Sequence, residues 1–574
     1  MRSFRCHIIA LVALLVSVNL SAQEYLFPIR NVAGHYSASY GEMRPNHFHS
    51  GVDIRTDKVE GKPVVAVADG YVSRVSVAPG GYGLALYIAH PDKGTMSVYA
   101  HLSRLRRDIA DYLTEERYKS RSNSKNLFPT ADMFRVNRGD TIAFSGNSGS
   151  SFGPHLHFEM RDTKSGYTLN PVKLGVVSPQ DTIPPTILRL HYVLFDSVAN
   201  RVKSRLVGSY TPSLVEGEYR LPASVKVWGK GYFVLETLDK RNGSSNRFGI
   251  YGAKMSVDGV EVLDFKMDRF SFADTRHCNV VSYFPLQRKA NCEVVTLAKM
   301  PYAPSYLYHK ASGRAFVSLE TGASADVVVQ VEDECGNSSA LRFTMVGTEC
   351  KYEPMSAPES AVLVDGNTLA EVVGNGFSLF VPKGALYEPE YCHTEAVEPK
   401  AIKDSTLVEL SRFYRIFAEQ TPMNKAVRVV IAADVPIELQ RHACVATVEE
   451  KGKIRYLGGE YRRDSVEVAT RRGGNMVVVA DTVPPKIVPR FSADADMRGV
   501  SMMKFSLKDN FSGIGSYTLM IDGEWRTLDY QPIKGELVHR FDRPLNGRGV
   551  YHSVVLEVND KCGNRAVWQG RILK

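Results

Sequence analysis

The stretch Gly153–Glu159, GPHLHFE, continues as a strand-like run through Asp162, HLHFEMRD. On a strand, residues two apart point to the same face, so His155 and His157 lie side by side and Glu159 has the parity to join them. Further strand-like pieces surround it: PVVAVADGYVSRVSV from Pro63, GLALYIAH from Gly83, TMSVYAHL from Thr95 and TIAFSG from Thr141. Glycine punctuates nearly every join, so the region from about Glu24 to Ser178 reads as one compact β-rich domain. LSRLRRDIADYLTEERYKS is the helix candidate, with Leu102, Leu105, Ile109 and Leu113 at helical spacing. It runs into the polar SRSNSKN, read as an exposed loop.

Histidine is scarce in this chain, 15 in 574 residues, yet several fall in three short motifs of this domain: HSGVD, YAHLS and GPHLHFE. His47 and His49 both lie an even number of residues before Asp53, so strand parity does not choose between them. Two imidazoles and one carboxylate form a standard ligand set for catalytic zinc, which keeps its fourth position for water. No cysteine lies between Cys6 and Cys278, so a metal site here must use histidine and carboxylate. A zinc held this way lowers the pKa of water to about 7 and polarises a carbonyl.

These motifs resemble those of the lysostaphin and LytM-type zinc endopeptidases, which cut peptide bonds in peptidoglycan on a duplicated hybrid motif fold. In that family an H-x-x-x-D motif and the second histidine of H-x-H hold the metal, which implies His49, Asp53 and His157 as ligands. The first histidine of H-x-H and the histidine of YxHL form the catalytic pair, which implies His155 and His101. VVAVADGYVSRV, GYGLALYIAH, GDTIAFSGNSGSSFGPHLHFE and NPVKL follow the family's scaffold in the same order, over about residues 41–175. The stretch from Arg104 to about Phe134 is longer than the family's usual connection, a place from which it can wall the substrate groove. The resemblance implies hydrolysis by a zinc-activated water assisted by the two histidines, neither with a single assigned role. A helical H-E-x-x-H is absent, which excludes the thermolysin design.

Other residues keep plainer readings. His90 precedes a hairpin turn, and Glu159 is read as supporting or structural. Gly146, Gly149 and Gly153 lack the lysine of a phosphate loop and are read as allowing tight turns or close backbone approach. DECGN and DKCGN invite a metal reading, but D-x-x-G-N is better read as a turn in which Asp and Asn bond the backbone and Gly takes positive φ.

Internal repetition organises the rest. DTIPPTI at Asp181 returns as DTVPPKI at Asp481, and VEDECGN returns as VNDKCGN. A repeated opening and close define a repeated domain, with alternating runs and SVDG or MIDG turns between, read as immunoglobulin-like β-sandwiches. Between the repeats GFSLFVPKGAL, KAVRVVIAADV and GGNMVVVAD suggest another β-sandwich. Its VPKGAL resembles domains of some membrane-skeleton and adhesion proteins, a likeness that carries no functional reading. The expected organisation is a signal peptide at 1–22, a LytM-like zinc endopeptidase domain at 23–180, and β-sandwich modules at 181–350, 351–480 and 481–574. The fold class is mainly β.

The N-terminus pairs Arg2 and Arg5 with an apolar run that is too short to span a bilayer, the pattern of a signal peptide. Its removal takes the formal charge from +9 to +7 and the cysteine count from eight to seven, an odd number that leaves at least one unpaired or pairing between chains. The mature chain is expected to be exported, periplasmic or envelope-associated, without a transmembrane segment. Peptidoglycan peptides are the expected partners, with an envelope protein as a further partner through the C-terminal modules; nucleic acid is not. Two alternatives stay open: a non-catalytic LytM-like protein that activates a peptidoglycan amidase, and an iron oxygenase using the same two-histidine, one-carboxylate set. The intact ligand set disfavours the first, and export with two extra histidines disfavours the second.

Overall fold

A computed structural model describes residues 24–198, 201–349, 357–398, 402, 404–449 and 452–574. The expected signal peptide lies outside the described residues. Strands dominate throughout, and no described helix is long and apolar enough to cross a membrane.

In the N-terminal region an antiparallel sheet is built from β1 (Tyr36–Ala38), β2 (Val52–Arg55), β3 (Gly70–Val77), β4 (Leu84–His90), β5 (Thr95–Ala100), β6 (Lys125–Leu127) and β7 (His155–Asp162), in the spatial order β1-β2-β7-β5-β4-β3-β6. β7 lies inside this sheet, between β2 and β5, and one of its faces is apolar. Leu156, Phe158 and Met160 are fully buried, alongside Val52 and Ile54 of β2. Burial of each such side chain stabilises the fold by about 1.5–3 kcal/mol. A one-residue slip would turn these residues outward and the histidines inward, so the core sets the register. That register places His157 opposite Asp53 on one neighbour and opposite Ala100, beside His101, on the other.

The helix differs from its expected extent. It begins at Arg107 and ends at Ser120, while Arg104–Leu105 is a short strand paired with Phe144 and Ala143. The backbone donors of Ser103 and Arg106 are taken by the carbonyls of Phe144 and Ile142, so those residues cannot join a helix. Leu102 and Leu105 are buried through this pairing rather than through a helical face.

Three β modules follow, the first and last built from two sheets and the middle one from three. Strands from both sheets of the last one, around Phe505, Leu519, Leu537 and Leu556, enclose a single apolar core. The middle module has its own core around Leu379, Val429 and Val478. The first module has none to itself: one apolar cluster runs from Tyr25 to Met345, and Arg269–Phe270 pairs with Thr168–Leu169 of the N-terminal sheet. The six described cysteines after Cys6 are free thiols.

Both D-x-x-G-N motifs form the expected turns, with Gly336 at φ +94 and Gly563 at φ +81. Each also clamps the opening of its own repeat. The Asn337 amide donates to the Asp181 carbonyl at 3.2 Å, and the Asn564 amide to the Asp481 carbonyl at 2.7 Å.

Candidate metal centre

Strand pairing brings His49, Asp53 and His157 together. His49 Nε2, Asp53 Oδ1 and His157 Nδ1 form a triangle with edges of 3.2, 2.9 and 3.1 Å. Ligand bonds of 2.0–2.1 Å in a tetrahedral zinc site give edges of about 3.3 Å, so these atoms match such a site to within a few tenths of an ångström.

The outer atoms of each ring decide which nitrogen faces inward. His49 Nδ1 donates to the Ser39 carbonyl at 2.7 Å, leaving Nε2 to face the centre. His157 Nε2 lies 2.9 Å from Glu159 Oε1, leaving Nδ1 to face it. A carboxylate behind a ligating imidazole sets its tautomer and raises its basicity. Glu159 is itself fully buried and held by Ser50, by Arg161 and by the Tyr82 hydroxyl. Its carboxyl is carried down to about 2: burial opposes this, but Arg161 and His157 outweigh it. Burial likewise works against charge on His157, yet Asp53 and Glu159 carry that imidazole up to about 9. Asp53 is held well below the usual carboxylate range by His49, His155 and His157, against its burial. Two inward lone pairs and a carboxylate in van der Waals contact repel one another unless a proton or cation sits between them. This donor set fits a divalent metal.

His101 and His155 stand beside the triangle, their rings 4.8 Å apart, with His101 5.8 Å from His157. His101 Nδ1 donates to the Ser148 carbonyl at 2.8 Å, and His155 Nδ1 to the Gly153 carbonyl at 2.8 Å. Each therefore turns Nε2 the other way; that of His155 lies 3.5 Å from Asp53. Burial, with the charges of His157 and His155, lowers the His101 pKa to about 3, so its ring is neutral. Its backbone occupies the left-handed region at φ +57, sparsely populated for a non-glycine residue. The Ser148 carbonyl reaches it because Gly149, at φ +73, passes where a Cβ would lie 2.3 Å from the Gly83 nitrogen.

The centre opens into a cleft of about 740 Å³. His47 lines this cleft and is not part of the triangle. No residue between Arg104 and Phe134 lines it, which corrects the expectation that the insertion walls the groove. The insertion packs instead on the last module: Arg117 donates to the Leu528 carbonyl and Asp529, and Tyr118 to Asp542 while its ring meets Trp525 edge-on. SRSNSKN is likewise docked rather than free, with Asn123 accepting from the Leu528 amide at 2.7 Å. The far wall comes from the first module, through Asn246, Phe272 and Thr275. Nothing in the local sequence signals these three, nor Tyr82 and Ser50; Glu159 was legible from parity alone.

Comparison with known proteins agrees with this geometry. Residues 47–116 match peptidase family M23, and residues 363–481 match the Zu5-like domain. An uncharacterized metalloprotease of Haemophilus influenzae is 34% identical over 132 residues, covering 23% of this chain and 21% of that protein. The DD-carboxypeptidase/endopeptidase Mpg of Neisseria meningitidis serogroup B is 33% identical over 135 residues, 24% of each chain. The chain thus spans about a quarter or less of the length of these curated relatives. Among solved structures, the catalytic domain of lysostaphin from Staphylococcus simulans is 23% identical, covering 25% of this chain and 90% of that one, with a TM-score of 0.18. The N-terminal domain of this chain thus matches peptidase family M23 over residues 47–116 and is similar to metalloproteases there, and β modules follow it.

Proposed function

We propose that the chain is an exported zinc-dependent endopeptidase that hydrolyses peptide bonds in peptidoglycan. The observation that carries this reading is the convergence of four inward-facing ring nitrogens and one carboxylate at the end of an open cleft. Zinc held by His49, Asp53 and His157 would supply a Lewis acid that activates water and polarises the scissile carbonyl. His101 and His155 turn Nε2 atoms toward it, placed to take the proton of the attacking water and return it to the leaving amine. Either, once protonated, can donate to the developing oxyanion. Arg44, Arg55 and Lys58 line the cleft and suit the carboxylates of peptidoglycan stem peptides. Phe152, 88% exposed on the cleft rim, offers an apolar surface to the peptide. The two curated relatives named as metalloprotease and DD-carboxypeptidase/endopeptidase support the same reading.

The test is to incubate the purified chain with peptidoglycan, with and without a chelator, and to identify products by mass spectrometry. New amino and carboxyl termini within stem peptides or cross-links, lost with chelator and restored by zinc, are the expected result. Unchanged peptidoglycan with zinc-loaded protein contradicts the proposal.

A further inference from the structure

A second group of acids lies where the M23 domain ends and the first repeat begins. Ligand atoms of Asp181, Asp333 and Cys335 come within 4.8 Å of one another. Asp239 lies beside this group, three residues before Asn242, whose amide bonds Asp181, and within reach of the charges of Asp181 and Asp333; it is fully buried, and neither of its carboxylate oxygens has a hydrogen-bond partner. Asp181 Oδ2 is likewise without a donor, whereas its Oδ1 accepts from the amides of Asn242 and Ile183. Asp333 is oriented by the Cys335 and Asn337 amides and by the Asn337 side chain. Arg241 is the nearby cation: its Nη2 donates to Glu334, while its Nε and Nη1 have no hydrogen-bond partner. Asp181 Oδ2 and both Asp239 oxygens therefore lack a hydrogen-bond partner. Burial carries the Asp239 carboxyl up to about 8; Arg241 pulls it back, and the charges of Asp333 and Asp181 add to the rise.

The second repeat supplies an internal comparison. Asp481, Asp509 and Asp560 correspond to Asp181, Asp239 and Asp333, and the Ser512 amide donates to Asp481 as the Asn242 amide does to Asp181. There the middle aspartate is only half-buried, and its Oδ2 accepts from the amides of Phe511 and Gly513, at 3.1 and 2.7 Å. The same framework thus satisfies one Asp509 oxygen with protein donors and leaves both Asp239 oxygens without any.

We propose that Asp181, Asp239 and Asp333 form a calcium site that fastens the M23 domain to the first β module. Carboxylate oxygens alone favour a hard cation, and the irregular arrangement suits calcium, which accepts flexible geometry, over magnesium, which demands a near-ideal octahedron. Cys335 does not redirect the site toward zinc, because its thiol donates to the Pro179 carbonyl and burial carries its pKa up to about 11. The ion would order the segment from Asp239 to Phe248, whose two ends pair with each other. That segment braces the M23 sheet: Asn246 donates to the Ser37 carbonyl at 2.8 Å, and Arg241 lies over the Tyr36 ring. Ser37 belongs to β1, the neighbour of the strand that carries Asp53.

The test titrates the full, zinc-loaded and calcium-free chain with calcium chloride by calorimetry, beside Asp239→Asn and Asp509→Asn. An affinity on the order of 10⁻⁴ to 10⁻³ M is expected, as for extracellular modules. Asp239→Asn should weaken it at least about tenfold, and Asp509→Asn should keep it. Hydrogen exchange of the wild-type chain gives a second readout that needs no variant: calcium should slow exchange around Asp181, from Asp239 to Phe248 and around Asp333. Equal calcium binding in wild type and a folded Asp239→Asn overturns the proposal. So does wild-type exchange in these segments that ignores calcium, or that responds to added zinc but not to calcium.

Discussion

The centre around Asp53 and the pocket around Asp239 bury titratable groups in two different ways. At the first, each ring has its outer nitrogen fixed by a carbonyl or carboxylate, so the lone pairs turned inward are the surplus. At the second, the surplus is three carboxylate oxygens with no donor at all. Nitrogen-rich donors with oriented supports suit a borderline metal that does chemistry; bare oxygens suit a hard ion that holds two parts together. Donor type separates the two, although each contains only side chains that are ordinary in a β domain.

The largest expected effect is at the first centre. His157→Ala should lose zinc and lower peptidase turnover about 10³-fold or more, measured by metal analysis and product formation, while calcium uptake at the Asp239 pocket is unchanged. Retained zinc in this variant would break the distinction. His101→Ala should keep zinc and lower kcat by about 10²–10⁴-fold, which separates proton transfer from metal binding within one cleft. Full turnover in that variant removes His101 from the chemistry.

Glu159→Gln should weaken zinc about 10–100-fold, since the buried carboxylate supports His157 from behind. The same pairing gives a pH dependence of known sign. In the metal-free chain Asp53 and Glu159 keep His157 protonated up to about pH 9, and zinc must displace that proton. Affinity should therefore fall as pH falls below about 9, by up to about tenfold per unit. A zinc affinity that is flat between about pH 6 and 8 contradicts this linkage. The smallest effect belongs to His47→Ala, which should bind zinc as the wild type does, because His47 lines the cleft outside the triangle.

Much of this centre was legible because it is built from period-two strands. Parity in His155, His157 and Glu159 is local, and so is the spacing of His49 and Asp53. The choice of His49 over His47 was not local: both have the same parity, and family resemblance, then register, was needed to decide. The helix start was misplaced because Leu102 and Leu105 keep a helical rhythm while pairing with Phe144 and Ala143 overrides it. The insertion's destination depended on Trp525, Leu528 and Asp529, some four hundred residues away in sequence. The repeated D-x-x-G-N turn was readable as a turn, but the unpartnered state of Asp239 depends on burial that no sequence pattern records.

The central claim rests on the cluster of His49, Asp53 and His157. Its most direct test is metal analysis of the purified wild-type chain and of His157→Ala, paired with hydrolysis of peptidoglycan by the same preparations. The account predicts one zinc at this cluster and peptide-bond cleavage for the wild type, with both lost in the variant. A wild-type chain that cleaves without zinc, or a variant that retains both metal and cleavage, contradicts it.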